Sequence, residues 1–358
     1  MRANFKQTNI ISLTDMAGGA ENVMLKLAKA VNAKLIFVKK SSESRLDIPN
    51  QISVKYLSNG SIILGLLKLI PLLVKFKEDE ILMSTHPYLN AFLGFFKRIG
   101  YLKTQLIVRE CTSVFTRFSG LKKITYLFLY RLGYPAADLV ICQTDIMKDQ
   151  LLKHNVFISQ NRVLVQQNPL DLSEMYFLAK QFNIHEEAEF ICAAGRLIPE
   201  KGFDILIKTF KIIHKSYPQL KLFLLGEGRE RSALIKLIED HNLQSAVFLK
   251  GYIANPAPYF KSAKLCVVSS LKEGFPNVLL EMMALNQSVV STICAGGIST
   301  IPNITTVEVN NVEALAQAIL NTLLKPKIQN YNPHLNYLQE RSVEKFAKSI
   351  FIALAQQG

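Results

Sequence analysis

The stretch FICAAGRLIPEKGFDILIKTFKIIHKSYPQLKLFLLGEG, residues 190–228, decides the fold. Residues 190–194 are a short apolar run that stops at Gly195-Arg196, as a strand buried on both faces does. Residues 203–217 read as an amphipathic helix, ended by Pro218. A second apolar run at 221–225 stops at Gly226-Glu227-Gly228. Strand, helix and strand in such short order make a parallel βαβ unit.

The same alternation extends in both directions. Downstream, helices are expected at 231–241, 256–261, 277–285 and 312–324, and strands at 247–249, 265–269 and 288–291. Upstream, strands are expected at 10–13, 33–38, 81–84, 105–108, 139–143 and 162–166, with helical stretches at 21–31, 62–76 and 144–154. At 358 residues the chain is too long for one ordinary core and suits two domains of about 150 to 200 residues each. The expected class is therefore α/β, with two doubly wound parallel sheets facing an interdomain cleft. The boundaries read as 1–168 and 185–335, joined through 168–189, which opens on Asn168-Pro169. A last helix, within about 342–358, is free to pack on either domain, including back on the first. Ligands of such sheets sit outside the carboxyl ends of the strands, so the residues just after strands carry the functional reading.

Composition narrows the classes. About half the residues are apolar, enough for sizeable cores. No run reaches the ~18 apolar residues of a membrane-spanning helix, and the nearest, 62–74, is interrupted by Lys68 and Pro71. The opening MRANFK leads straight into IISL at 10–13 without a signal-peptide apolar region, so the chain is expected to stay in the cytoplasm. Cys111, Cys142, Cys192, Cys266 and Cys294 are widely spaced and mostly in apolar runs, which suits small buried hydrophobes and neither a disulfide set nor a metal site. The net charge of +14 calls for a negatively charged partner. Between 95 and 134, Lys97, Arg98, Lys103, Arg109, Arg117, Lys122, Lys123 and Arg131 stand against one acid, Glu110, among bulky apolar residues. Such mixing suits an anionic membrane surface better than a duplex, and a solvated helix face is the plainer alternative. With no nucleic-acid motif and no Trp, nucleic acid is not an expected partner.

Three strand-end clusters carry chemistry. Gly18-Gly19 precedes a helix, where glycine lets backbone amides approach an anion or simply makes a tight turn. Arg196 and Lys201 follow the strand at 190–194, placed to converge on a diphosphate. EGFPNVLLE at 273–281 brings two carboxylates, suited to vicinal hydroxyls, around a helix start whose amides can hold phosphate oxygens.

Together these pieces resemble glycosyltransferase family 4, the large group of retaining GT-B enzymes. Across 190–285 the matches run in family order: AGRL and KGF, LGEG, LKGY, YFKSA, and EGFPNVLLE, the Glu-x7-Glu signature. GGAE at 18–21 matches the family's N-terminal glycine turn. The resemblance implies a GT-B fold of two Rossmann-like domains. It implies that Arg196 and Lys201 hold the nucleotide diphosphate, and that Glu273 contacts the donor sugar's hydroxyls at the reacting centre. Glu281 would bind the ribose, and main chain at Gly274, Phe275, Pro276 and Asn277 the sugar and phosphate. Gly18 and Gly19 would approach the diphosphate or the reacting centre, and His86 the donor hexose. Arg109-Glu110 occupies the place of a Ser-Glu-Arg-like segment, which makes Glu110 a candidate for contact with acceptor or sugar.

The wording of EGFPNV, with NPAPYF before it, looks most like the subgroup that builds bacterial surface polysaccharides such as O-antigen and capsule. That subgroup implies a UDP-hexose or UDP-N-acetylhexosamine donor, an undecaprenyl-diphosphate-linked glycan acceptor and a peripheral place on the inner face of the cell membrane. Two departures stand out. GGISTIP at 296–302 lacks the subgroup's Gly-Gly-Pro and following Arg-Glu pair, and VQQNP at 165–169 varies a common Asn-Pro segment. No Asp-x-Asp motif is present, and two cations can neutralise the leaving diphosphate, so no metal or other cofactor is expected. The alternatives are a GT-B UDP-sugar epimerase, which would act on donor alone, and a catalytically silent nucleotide-sugar-binding assembly protein.

Overall fold

Parallel strands need crossovers, and most of the crossovers here are helices. The computed structural model describes residues 6–42, 46–111, 114–184, 188–329 and 331–357, with only the backbone of 116 and 117. In the first unit, β1 (Thr8–Thr14), β2 (Lys34–Lys39), β3 (Val54–Tyr56), β4 (Ile81–Thr85), β5 (Gln105–Arg109), β6 (Leu139–Cys142) and β7 (Val163–Val165) lie in the order β3-β2-β1-β4-β5-β6-β7. In the second, β8 (Phe190–Ala194), β9 (Lys221–Leu225), β10 (Val247–Gly251), β11 (Leu265–Val268), β12 (Val289–Thr292) and β13 (Thr305–Val307) lie in the order β10-β9-β8-β11-β12-β13. All neighbours in both sheets pair in parallel. Each chain segment winds outward one way from its first strand and then the other way. The direction reverses between β1 and β4, and again between β8 and β11.

The period-two geometry of a strand sends alternate side chains to opposite faces, and both faces are covered. In β8, Ile191 and Ala193 join one cluster with Phe210, Ile213 and Ile319, while Phe190 and Cys192 join another with Phe223, Leu279 and Met283. The helix Phe203–Ser216 buries Phe203, Leu206, Ile207, Phe210 and Ile213 along one stripe. Four cysteines, Cys142, Cys192, Cys266 and Cys294, are buried among these apolar groups.

The chain divides into Met1–Pro169 with Val343–Gly358, and Leu170–Ser342. The final helix, Val343–Ala355, buries Phe346, Ala347, Ile350 and Leu354 in a cluster with Val23, Met24 and Leu27 of the helix Gly19–Val31. The expected connection at 168–189 is more structured than its polar composition suggested. Its helix Leu172–Leu178, capped by Asp171, sends Met175 into the second unit's core, while 185–187 lie outside the described residues. The second unit therefore starts at Leu170, where the Leu170 amide donates to the Arg341 carbonyl at 2.8 Å.

Phe346 is almost wholly buried, so Phe346→Ala should cost about 3–5 kcal/mol of first-unit stability in denaturant unfolding. A cost near zero would mean that the last helix is not part of that core.

Candidate functional site

At the reversal point of the second sheet the loops after β8 and β11 are pressed together. Gly202 makes this contact: its φ is 61°, and a Cβ there would lie 2.3 Å from the Ser269 carbonyl oxygen. Ser269 Oγ also donates to the Lys201 carbonyl at 2.9 Å. The result is that Lys201 Nζ donates to Glu273 Oε1 at 2.6 Å, while Ser270 Oγ donates to the same oxygen at 3.0 Å. The Glu273 amide in turn donates to the Cys294 carbonyl at 2.8 Å, anchoring the loop to the segment after β12. The two side chains are 17% and 19% exposed, shielded from bulk water but still reachable. Arg196 is exposed, and none of the described residues pairs with its guanidinium.

Gly274 is half-buried, Phe275 is buried, and Pro276 begins the helix Asn277–Leu285 without a side-chain cap. The start of that helix carries the positive end of its dipole, which favours an anion. Glu281 lies four residues after Asn277 in this helix, so the two share a face.

The first sheet carries a second charged pair at its own reversal point. Gly18 and Gly19 open the helix Gly19–Val31, again without a side-chain cap. His86 follows β4 with φ 88°, a conformation that side-chain-bearing residues rarely adopt. Its Nε2 lies 2.7 Å from Glu21 Oε1, and its Nδ1 lies 4.0 Å from Cys111 Sγ. Burial opposes the charge on His86, but Cys111 and Glu21 outweigh it and push the imidazole pKa up to about 10. His86 is thus a cation throughout the neutral range. Glu21 had no role in the sequence reading. The signal was available in GGAE, where only the glycines drew a reading.

Glu110 departs from its expected exposure to acceptor or sugar. It follows β5, but its carboxylate is buried and accepts from the hydroxyls of Tyr130 and Tyr134. Burial holds its pKa above the usual carboxylate range despite those two donors. Asn90 Nδ2 donates to Tyr134 Oη at 3.0 Å and to the Arg109 carbonyl at 3.2 Å. Arg109 is fully buried and donates to Asn168 Oδ1, so neither residue of this pair belongs to a basic surface. In the altered segment at 296–302, Ile298 and Ile301 are buried in the core beside Phe275 and Cys294. Among the described residues no three His, Cys, Asp or Glu converge as metal ligands.

Residues 176–336 match the family described as Glycosyl transferases group 1. Over 291 residues, 77% of this chain and 78% of the relative, the sequence is 30% identical to the N-acetylgalactosamine-N,N'-diacetylbacillosaminyl-diphospho-undecaprenol 4-alpha-N-acetylgalactosaminyltransferase of Campylobacter jejuni. An uncharacterized glycosyltransferase of Methanocaldococcus jannaschii is 34% identical over 184 residues, 50% of this chain and 45% of that protein's length. Among solved structures, Anabaena HepE in complex with UDP and glucose aligns with a TM-score of 0.77 at 18% identity, covering 98% of this chain and all of HepE, a likeness of fold.

Because Gly202 is both left-handed and in backbone contact, Gly202→Ala should cost at least about 2 kcal/mol on chemical denaturation. An unchanged midpoint would show that the two loops are not held together there.

Proposed function

The chain belongs to the group 1 glycosyl transferases, and from that membership we propose that it moves a hexose or N-acetylhexosamine from a UDP-sugar to a lipid-linked glycan, with retention, in bacterial surface-polysaccharide assembly. The observation that carries this reading is the Lys201–Glu273 pair at the second reversal point, with Arg196 beside it on the same loop. The C. jejuni relative is named for N-acetylgalactosamine transfer to a diphospho-undecaprenol glycan, and HepE binds UDP and glucose.

The departing diphosphate gains negative charge as the sugar gains oxocarbenium character. Arg196, Lys201 and the start of the helix Asn277–Leu285 would stabilise that charge, which makes a metal unnecessary in this scheme. Glu273 would accept hydrogen bonds from the sugar hydroxyls, its position set by Lys201 and Ser270. Glu281 would accept from the ribose. The acceptor hydroxyl would attack from the leaving-group face and pass its proton to a departing phosphate oxygen, giving an α-linkage from a UDP-α-hexose.

No described helix is long and apolar enough to cross a membrane. Of the basic stretch at 95–134, Arg109 is buried and Lys97 is paired with Asp138 at 3.0 Å. What remains is concentrated on the helix Gly120–Gly133, where Leu121, Ile124 and Phe128 are exposed alongside Lys122 and Arg131. Apolar groups at that spacing share one helix face, and their basic neighbours suit anionic headgroups. We assign the peripheral membrane contact to this face.

Lys201→Ala and Glu273→Gln should each lower UDP release, measured with UDP-sugars and a lipid-linked diphosphate acceptor, by at least about 100-fold while circular dichroism is unchanged. Near-normal turnover in either variant sinks the site assignment, and epimer formation from donor alone would replace transfer with the alternative activity. Combined Leu121→Ser, Ile124→Ser and Phe128→Ser should lower flotation with phosphatidylglycerol vesicles by at least about tenfold, with intact turnover of a water-soluble acceptor analogue. Undiminished flotation would move the membrane contact elsewhere.

A further inference from the structure

The Glu21–His86 pair has a geometry that the donor-binding scheme does not use. Glu21 is 6% exposed, and an ionised carboxylate so buried requires a partner. Its Oε1 takes His86 Nε2 at 2.7 Å. Its Oε2 occupies the space next to Gly18, where an added Cβ would come within 2.4 Å of it. Gly18 itself has φ −133° and ψ 165°, an extended conformation open to any residue. Backbone strain therefore does not require glycine there, but an added Cβ would have to displace the Glu21 carboxylate.

The His86 imidazole is held on both nitrogens. Glu21 meets it from the helix Gly19–Val31, and Cys111 meets Nδ1 from the segment after β5 at a longer 4.0 Å. Behind them on β5 stands the buried Arg109, which interacts with both Cys111 and Glu21. The helix Pro87–Arg98, which His86 itself caps, brings no acid in its first turn. With both ring nitrogens facing protein groups and the shorter contact made to a carboxylate, the ring is oriented and charged by its own unit.

We propose that Glu21 is a positioning residue for the transfer reaction: it fixes the His86 imidazole as a permanent cation at the reversal point of the first sheet, so that His86 acts as a fixed positive charge and does not shuttle protons. The reaction part of this inference rests on the glycosyltransferase reading above, and the ionic pair does not. Gly18 is then a glycine so that the carboxylate can reach the ring. The sign follows from linkage. A His gaining an anionic partner keeps its proton to higher pH, and losing that partner returns its midpoint toward the ordinary value of about 6.5.

The test is an NMR titration of the histidine side chains in the full chain, with the His86 signal assigned by its loss in His86→Asn. In the unsubstituted protein His86 should stay protonated beyond about pH 9, in keeping with a midpoint of about 10. Glu21→Gln should lower that midpoint by at least about two units, Glu21→Asp should restore part of it, and Cys111→Ala, which removes the longer contact, should lower it less than Glu21→Gln does. Gly18→Ala, which displaces Oε2 without altering either ionising group, should lower it as well and carries the test if Glu21→Gln fails to fold. In kinetics, Glu21→Gln should acquire a limb in kcat/KM that falls as pH rises through the restored midpoint, a limb the unsubstituted enzyme lacks between about pH 6 and 9. A His86 that titrates near 6.5 in the unsubstituted protein, or that ignores Glu21→Gln and responds to Cys111→Ala instead, overturns the proposal. A titration that moves as expected, in a protein that turns over no UDP-sugar, upholds the pair and removes the reaction assigned to it.

Discussion

Strand direction is the constraint on which the rest depends. A sheet in which every neighbour is parallel opens all its carboxyl ends on one edge, and each strand must be left by a crossover on one face or the other. Where successive crossovers change side, the loops from two adjacent strands diverge and leave a crevice. In this chain the crevices lie after β1 and β4 and after β8 and β11. The charged residues of interest gather there because the interior of each sheet is apolar on both faces. Polar groups that must meet a ligand have few other places to stand.

Each reversal point holds a cation paired with a carboxylate, drawn from the segments that follow two adjacent strands: His86 with Glu21, and Lys201 with Glu273. Partly buried pairs of this kind are weak sources of stability, since desolvation offsets much of their attraction. Their value here is orientation. At the second point a hydroxyl from Ser270 and the backbone contact at Gly202 fix the carboxylate, and at the first the strained backbone of His86 fixes the ring. Both arrangements hold a charge at a defined position before any substrate arrives.

The sheets were legible in the sequence because doubly covered parallel strands appear as apolar runs cut off by glycine. The three-residue strands β3 and β13 were not, being too short to form a run. The helix Pro87–Arg98 was not read although its apolar residues keep a helical period, and in Gly120–Gly133 aromatic and basic residues lie close together and weaken that period. In the site, Lys201 and Glu273 were found separately by motif, yet their contact depends on two loops meeting 72 residues apart. Glu110 shows the opposite limit. Its place after a strand was readable, but its direction is decided by Tyr130 and Tyr134, which a local reading of β5 does not include. Glu21 escaped notice because its partner, His86, comes from a different crossover.

The closing helix gives the chain an order of events. Val343–Ala355 completes a core whose other buried members lie between Ile10 and Ile141, so that core cannot close until the whole Leu170–Ser342 unit has been made. The Leu170–Ser342 unit is one continuous stretch of the chain and has no such dependence. The half with the dense donor motifs is thus positioned to form first, although it is encoded second. Removal of Val343–Ala355 would strike the amino-terminal half, and a single proteolytic cut near Pro169 would leave that half's two pieces held only by noncovalent contacts.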